Sequence, residues 1–167
     1  LASNSHIVAM AETKLEKSQL GPKQKLMASH QMKLVAGPTD PEAKGPACGV
    51  AVATRSPIRQ IPLPYVTENM RNAYKSGRAF ISWIDYGYDR QGLLAVVYGM
   101  PNAASDREAA AHTDAIMHAV IEEIAQHPTV PTLIVGDLNG DPTNFSQVIE
   151  LLNDHSWKDL GACADIW

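Results

Sequence analysis

The stretch at 132–142, Thr-Leu-Ile-Val-Gly-Asp-Leu-Asn-Gly-Asp-Pro, constrains the fold more than any other part of the chain. Thr132, Leu133, Ile134 and Val135 are β-branched or leucine, which suits a strand buried on both faces. Gly136 lets the backbone approach a neighbour closely, and Gly140 with Pro142 stops the strand. Asp137 and Asn139 stand two apart, so an extended backbone turns both side chains to one face. A carboxylate and an amide oxygen facing one way at the mouth of an apolar sheet can hold a hard cation or a phosphate-bound water. The same residues are ordinary turn formers, and a plain turn accounts for this stretch equally well. An EF-hand loop is excluded: its sixth position would be Pro142 rather than glycine, and its twelfth Val148 rather than glutamate.

With 167 residues, 45% hydrophobic and 19% charged, the chain suits one globular domain or a piece of a larger one. No apolar stretch reaches membrane-spanning length. Fourteen basic against eighteen acidic residues give a net charge of -4, and no basic stripe advertises nucleic-acid binding. Lys14, Lys17, Lys23, Lys25 and Lys33 read as a solvated helix face. Cys48 and Cys163 form no CxxC pair, and His118 with Glu122 lacks the second histidine of a zinc motif. The opening Leu1-Ala2-Ser3-Asn4-Ser5 is not a secretory signal, and both ends read as cut, so the location of the protein stays open.

Strands are expected at 6–11, 32–36, 48–54 and 58–63, the last interrupted by prolines and suited to a sheet edge. Thr13 with Glu16 has capping-box spacing for a helix through Leu15 and Leu20, which Gly21-Pro22 interrupts. Residues 37–46 read as a loop, and 65–74 give no clear signal. Strands at 77–86 and 93–98 form a hairpin around the turn at 87–92. Ser105 and Glu108 suggest a second capping box before a helix with Ile116, Met117, Val120, Ile121 and Ile124 on one face, ending before Pro128. After the strand at 132–135 comes a short helix with Phe145, Val148, Ile149 and Leu152. The pattern is a mixed α/β layered domain.

Three strand exits carry polar residues that chemistry could use: Glu12, Tyr98 and the Asp137/Asn139 pair. Ligands of α/β folds gather at the carboxyl ends of strands. Taken singly, Glu12 suits the first turn of a helix and Tyr98 a strand aromatic with a wet tip. Taken together, Ala11-Glu12-Thr13-Lys14-Leu15, Cys48-Gly49-Val50-Ala51-Val52, Val97-Tyr98-Gly99-Met100-Pro101-Asn102 and Gly136-Asp137-Leu138-Asn139 resemble, in order, the motifs of the endonuclease/exonuclease/phosphatase superfamily. The resemblance is nearest to abasic-site endonucleases and retrotransposon-type endonuclease domains, and runs from residue 6 to about 160.

That resemblance implies a four-layer α/β/β/α sandwich of the DNase I-like type, here lacking the family's first and last strands. It implies Glu12 as a metal ligand for magnesium, or manganese in its place, and Tyr98 as a phosphate contact. Asp137 would activate or position the attacking water, and Asn139 would contact the scissile phosphate. The partner would be a nucleic acid or another phosphodiester. The departures are specific. Ala11 replaces the family glutamine, and Tyr98 to Asn102 is one residue longer than Y-x-P-N. The family's asparagine strand at the start and its Asp-His strand at the end are not found, Asp165 being followed by Ile166. Loss of one transition-state donor costs on the order of 10²–10³ in rate. These residues alone are therefore expected to be inactive or nearly so. Unpaired strand edges are expected, open to a protein partner. Two readings follow: part of a metal-dependent phosphodiester hydrolase, or a non-catalytic structural or interaction module that keeps the fold.

Overall fold

The computed structural model describes residues 5–44, 47–154 and 156–163; the ends at 1–4 and 164–167, with Asp165 among them, lie outside the described residues. Three strands, β1 (Ile7–Met10), β2 (Met32–Ala36) and β3 (Ala51–Arg55), form one antiparallel sheet in the order β1-β3-β2. A second sheet has the order β4 (Arg59–Pro62), β5 (Ala79–Asp85), β6 (Gln91–Tyr98) and β7 (Thr132–Asp137). In it, β5 and β6 form the antiparallel hairpin, and β7 joins β6 in parallel, with Val96 opposite Val135 and Tyr98 opposite Asp137.

Alternation along the strands builds the layers. Val50 and Val52 of the first sheet meet Phe80, Ile84, Leu94, Val96 and Tyr98 of the second in the inter-sheet core. The opposite faces are covered by helices. Leu34, Ala51 and Ala53 pack under Leu20 and Met27 of α1 (Lys17–Ser29). On the other side, Ile81, Leu93, Ala95 and Val97 pack against α2 (Glu68–Lys75), α3 (Arg107–Ile124) and α4 (Ser146–Asn153), with Phe145 fully buried. The result is an α/β/β/α sandwich. A last short helix, α5 (Leu160–Cys163), follows.

Several expectations are corrected. The strand at 132–135 is not buried on both faces: β7 ends its sheet, Leu133 is 41% exposed, and among the described residues no strand pairs with its outer side. β-Branched composition reports a pleated, half-buried surface, not the number of neighbours. The first helix starts at Lys17 rather than beside Thr13, and Glu16 is its cap, its backbone N–H donating to the Gln19 carboxamide (3.4 Å). Gly21-Pro22 does not break it, since packing of Leu20 and Met27 on the sheet outweighs the one helical bond that Pro22 cannot make. The helix expected after Ser105 is capped by Asp106, whose carboxylate accepts from the Glu108 and Ala109 N–H groups. Residues 65–74, without a clear sequence signal, contain most of α2, capped by Thr67. Lys17, Lys23 and Lys25 lie exposed on α1 as expected, whereas Lys33 sits on β2 and Lys14 precedes the helix.

Candidate phosphate-binding site

The carboxyl ends of β1, β6 and β7 bring three of the four sequence-selected residues into contact. Glu12 follows β1 by two residues, in the left-handed region at φ 52°, so it is not a first-turn helix residue. Its neighbours Thr13 and Lys14 donate backbone N–H groups to the carbonyls of Gly49 and Cys48 (both 2.9 Å), which ties the segment to the start of β3. Lys14 (φ 50°), Cys48 (φ 59°) and Asn139 (φ 54°) share the left-handed conformation. Each such residue costs on the order of 1–3 kcal/mol, and clusters of them mark segments that the surrounding structure holds in place.

Tyr98 ends β6, almost wholly buried, with its side chain on the inter-sheet face. Its hydroxyl interacts with the Glu12 carboxylate and with the Asn139 side chain. Burial, then the Glu12 charge, pushes the phenol above its ordinary range, so Tyr98 stays a protonated donor at neutral pH. Glu12 is held below the usual carboxylate range by the hydrogen bond and charge of Lys14, whose Nζ lies 2.8 Å from Oε1.

Asp137 is the register partner of Tyr98 on β7, so the two side chains share a sheet face, and it is exposed. Its Oδ1 accepts the backbone N–H of Asn139 (2.9 Å), the local turn that the plain-turn reading foresaw. That turn aims Asn139 inward: Nδ2 donates to the Gly99 carbonyl (3.2 Å). Glu12, Tyr98 and Asn139 thus meet, and Asp137 stands beside them on the solvent side.

Two residues that the sequence reading did not select belong to this neighbourhood. Lys14 is the ion-pair partner of Glu12, and Arg78 lies behind Tyr98 with its guanidinium carbon 5.5 Å from the ring centroid. The signal for Lys14 was its place in the Glu12 motif; a lone Arg78 at a strand start offers none. Asn102, left unassigned by the extra residue in its motif, is exposed in the turn before α3, where its carbonyl accepts from Ser105 and Asp106.

Among the described residues no group of three or more His, Cys, Asp or Glu could hold a metal ion. That donor set does not suit a closed protein cage. It does fit a hard divalent ion that keeps most of its water and takes one or two carboxylates plus phosphate oxygens. The half-exposed Glu12 carboxylate is the group of the cluster that could hold such an ion. A cleft of about 910 Å³ opens between α1, β2 and β4, but none of its lining residues belongs to the Glu12–Tyr98–Asn139 cluster. Converging polar groups, rather than volume, select the strand-end site.

The Lys14–Glu12 contact gives a direct expectation. In Lys14→Ala the Glu12 carboxyl titrates at higher pH, toward the ordinary glutamate value, as followed by carbon NMR of the side-chain carboxyl. An unchanged midpoint would show that the lysine does not control it.

No protein-family model matches the chain, and no curated protein matches it in sequence. Solved structures do. The chain is similar to a 3'-5' exonuclease from Neisseria meningitidis (14% identity, 95% of this chain and 70% of that one, TM-score 0.62). An AP endonuclease from Archaeoglobus fulgidus (14%, 87% and 60%, 0.59) is similar too. So is the catalytic domain of human nocturnin, solved with a bound sulfate anion (18%, 90% and 56%, 0.57). The chain therefore spans 56% of the nocturnin domain and 60% of the AP endonuclease.

Proposed function

From the DNase I-like fold shared with endonuclease/exonuclease/phosphatase superfamily structures, we propose that residues 1–167 form one partial domain of this type. In it, Glu12, Tyr98, Asp137 and Asn139 make up a phosphodiester-binding and hydrolytic site. The observation that carries this reading is the meeting of Glu12, Tyr98 and Asn139 at the ends of strands from both sheets.

In this reading Glu12 would hold the metal, magnesium or manganese in its place, at the carboxylate that now pairs with Lys14. When bound, the ion neutralises phosphate charge and polarises a phosphoryl oxygen. The chain's own residues do the rest. The Tyr98 hydroxyl and the Asn139 N–H that faces it, which engage Glu12 and each other without substrate, turn to phosphate oxygens as charge builds on them. Asp137 Oδ1 is fixed by the Asn139 backbone, which leaves Oδ2 facing solvent to orient a water or take its proton. The substrate class is a nucleic acid or another phosphodiester.

In the full-length protein that carries these residues, Mg²⁺-dependent nicking of plasmid DNA containing abasic sites is expected. Glu12→Gln and Asp137→Asn each lower it on the order of 10²–10³. A second reading draws on the free edges. Among the described residues, β1 and β7 have no strand on their outer sides, and Leu133 is exposed. Such edges suit a structural or interaction module whose partner chain completes the sheets. No metal-dependent hydrolysis by the full-length protein, with both substitutions leaving its behaviour unchanged, would decide for the module.

A further inference from the structure

Arg78 is 9% exposed, and among the described residues no carboxylate pairs with it. A buried guanidinium without a counter-ion costs stability unless its N–H groups and charge are otherwise met. Two contacts of the site engage it here. Arg78 Nη1 donates to the Gly99 carbonyl (2.9 Å), and the guanidinium lies over the Tyr98 ring. The same Gly99 carbonyl accepts Asn139 Nδ2 (3.2 Å). One oxygen therefore joins the arginine to the asparagine, while the cation's other face holds the tyrosine.

The backbone around Gly99 leaves little freedom for any other arrangement. Tyr98 N–H donates to the Arg78 carbonyl (2.7 Å), so the two residues lie side by side at the end of the β5–β6 pair. Gly99 N–H donates to the Asp137 carbonyl (2.7 Å), and Met100 N–H to Thr113 Oγ1 (2.8 Å) on α3. A Cβ at residue 99 would fall 2.4 Å from the Leu138 carbonyl oxygen, so the end of β7 closes directly on this peptide. The Gly99–Met100 peptide is planar, so it is held from two sides, its N–H by Thr113 and its carbonyl by Arg78.

We propose that Arg78 is a positioning residue of the Tyr98–Asn139 pair, clamping, opposite Thr113, the Gly99–Met100 peptide whose carbonyl aims Asn139, and holding the face of the Tyr98 ring. It acts behind the site and does not touch substrate. The proposal rests on the reading of Tyr98 and Asn139 as the phosphate-contacting pair. Its test uses no turnover, so its failure is separable from failure of the hydrolytic reading.

The experiment is proton–nitrogen NMR of the Asn139 carboxamide, identified by its loss in Asn139→Asp, in Arg78→Met and Arg78→Lys. Ile81→Val, a destabilising change elsewhere on β5, is the control. In Arg78→Met the Asn139 carboxamide protons are expected to move to free-asparagine positions. Arg78→Lys, which keeps a cation and a donor, returns them part of the way, and Ile81→Val leaves them in place. If Arg78→Met does not fold, a partial displacement in Arg78→Lys supports the proposal. Wild-type signals in the Arg78 variants, equal displacement in Ile81→Val, or loss of the fold in both Arg78 variants would overturn it.

Discussion

Gly136→Val is expected to leave the chain without a stable fold. A Cβ on residue 136 would lie 2.0 Å from the Val97 carbonyl oxygen and within 2.9 Å of the Val97 nitrogen. All of these neighbours are backbone atoms of β6, the strand that β7 pairs with, so no side-chain rotation relieves the overlap. Gly136 also has φ 157°, at the border of the region that L side chains rarely enter. Relief requires β7 to move off β6, which breaks the parallel ladder and displaces Asp137 and Asn139 with it. Strain of this kind belongs to the severe class of substitutions, about 4 kcal/mol or more. Gly136→Ala meets the same Cβ and fares little better. Chemical denaturation monitored by circular dichroism checks this; a cooperative transition within 1 kcal/mol of the parent would contradict the close approach of the two strands.

Glu123→Ala is expected to cost about 3–5 kcal/mol, since it strands buried donors at about 1–3 kcal/mol each. Glu123 is fully buried, on the face of α3 that meets α2. Its carboxylate accepts three bonds of 2.8 Å, from the Val66 N–H, the Thr67 N–H and the Thr67 hydroxyl. Thr67 is the N-cap of α2, so the negative charge sits where a helix N-terminus favours it. Alanine removes the acceptor, strands those donors and opens a cavity. For a domain of this size each kcal/mol corresponds to about 2–4 °C in Tm. The variant should therefore melt on the order of 10 °C lower, and Glu123→Gln, which keeps one acceptor oxygen, should lie between the two. A drop of under 2 °C in Glu123→Ala would show that α2 is anchored by packing alone.

Both residues illustrate what could be read from sequence and what could not. Gly136 was legible because glycine at the end of a β-branched run has few other uses, although the atom it approaches is visible only once β6 is beside it. Glu123 was not legible: on the helical pattern it flanks the apolar stripe of Ile116, Val120 and Ile124 and looks like a solvent-facing carboxylate. Its burial depends on the loop before α2, 56 and 57 residues earlier in the chain at Thr67 and Val66, meeting that face.

The layering was legible in part. The order of strands and helices gave a mixed α/β layered class, and the four-layer order came only with the family resemblance. In the fold the wholly apolar runs at 50–53 and 93–97 send alternate residues into cores on both faces of each sheet. Helix starts were less legible. Thr13 and Ser105 had the spacing of caps, but the chain at Thr13 is pinned to Gly49, and Asp106 outcompetes Ser105 with a carboxylate that reaches two N–H groups. At the site, Glu12, Tyr98 and the Asp137/Asn139 pair were accessible through motif order. Arg78 was not, because its importance lies in a carbonyl contact across strands that no spacing encodes.

In the proposed site Glu12, Tyr98 and Asn139 act as one pocket for a hydrated divalent ion and a phosphate. The most direct measurement is an NMR titration of this chain with Mg²⁺ and inorganic phosphate, following the Glu12 carboxyl, the Tyr98 ring and the Asn139 carboxamide. All three signals are expected to shift along a single saturation curve, and Glu12→Gln to abolish the Mg²⁺-dependent part of it. Three signals that saturate at unrelated concentrations, or that stay fixed while residues elsewhere respond, would contradict it.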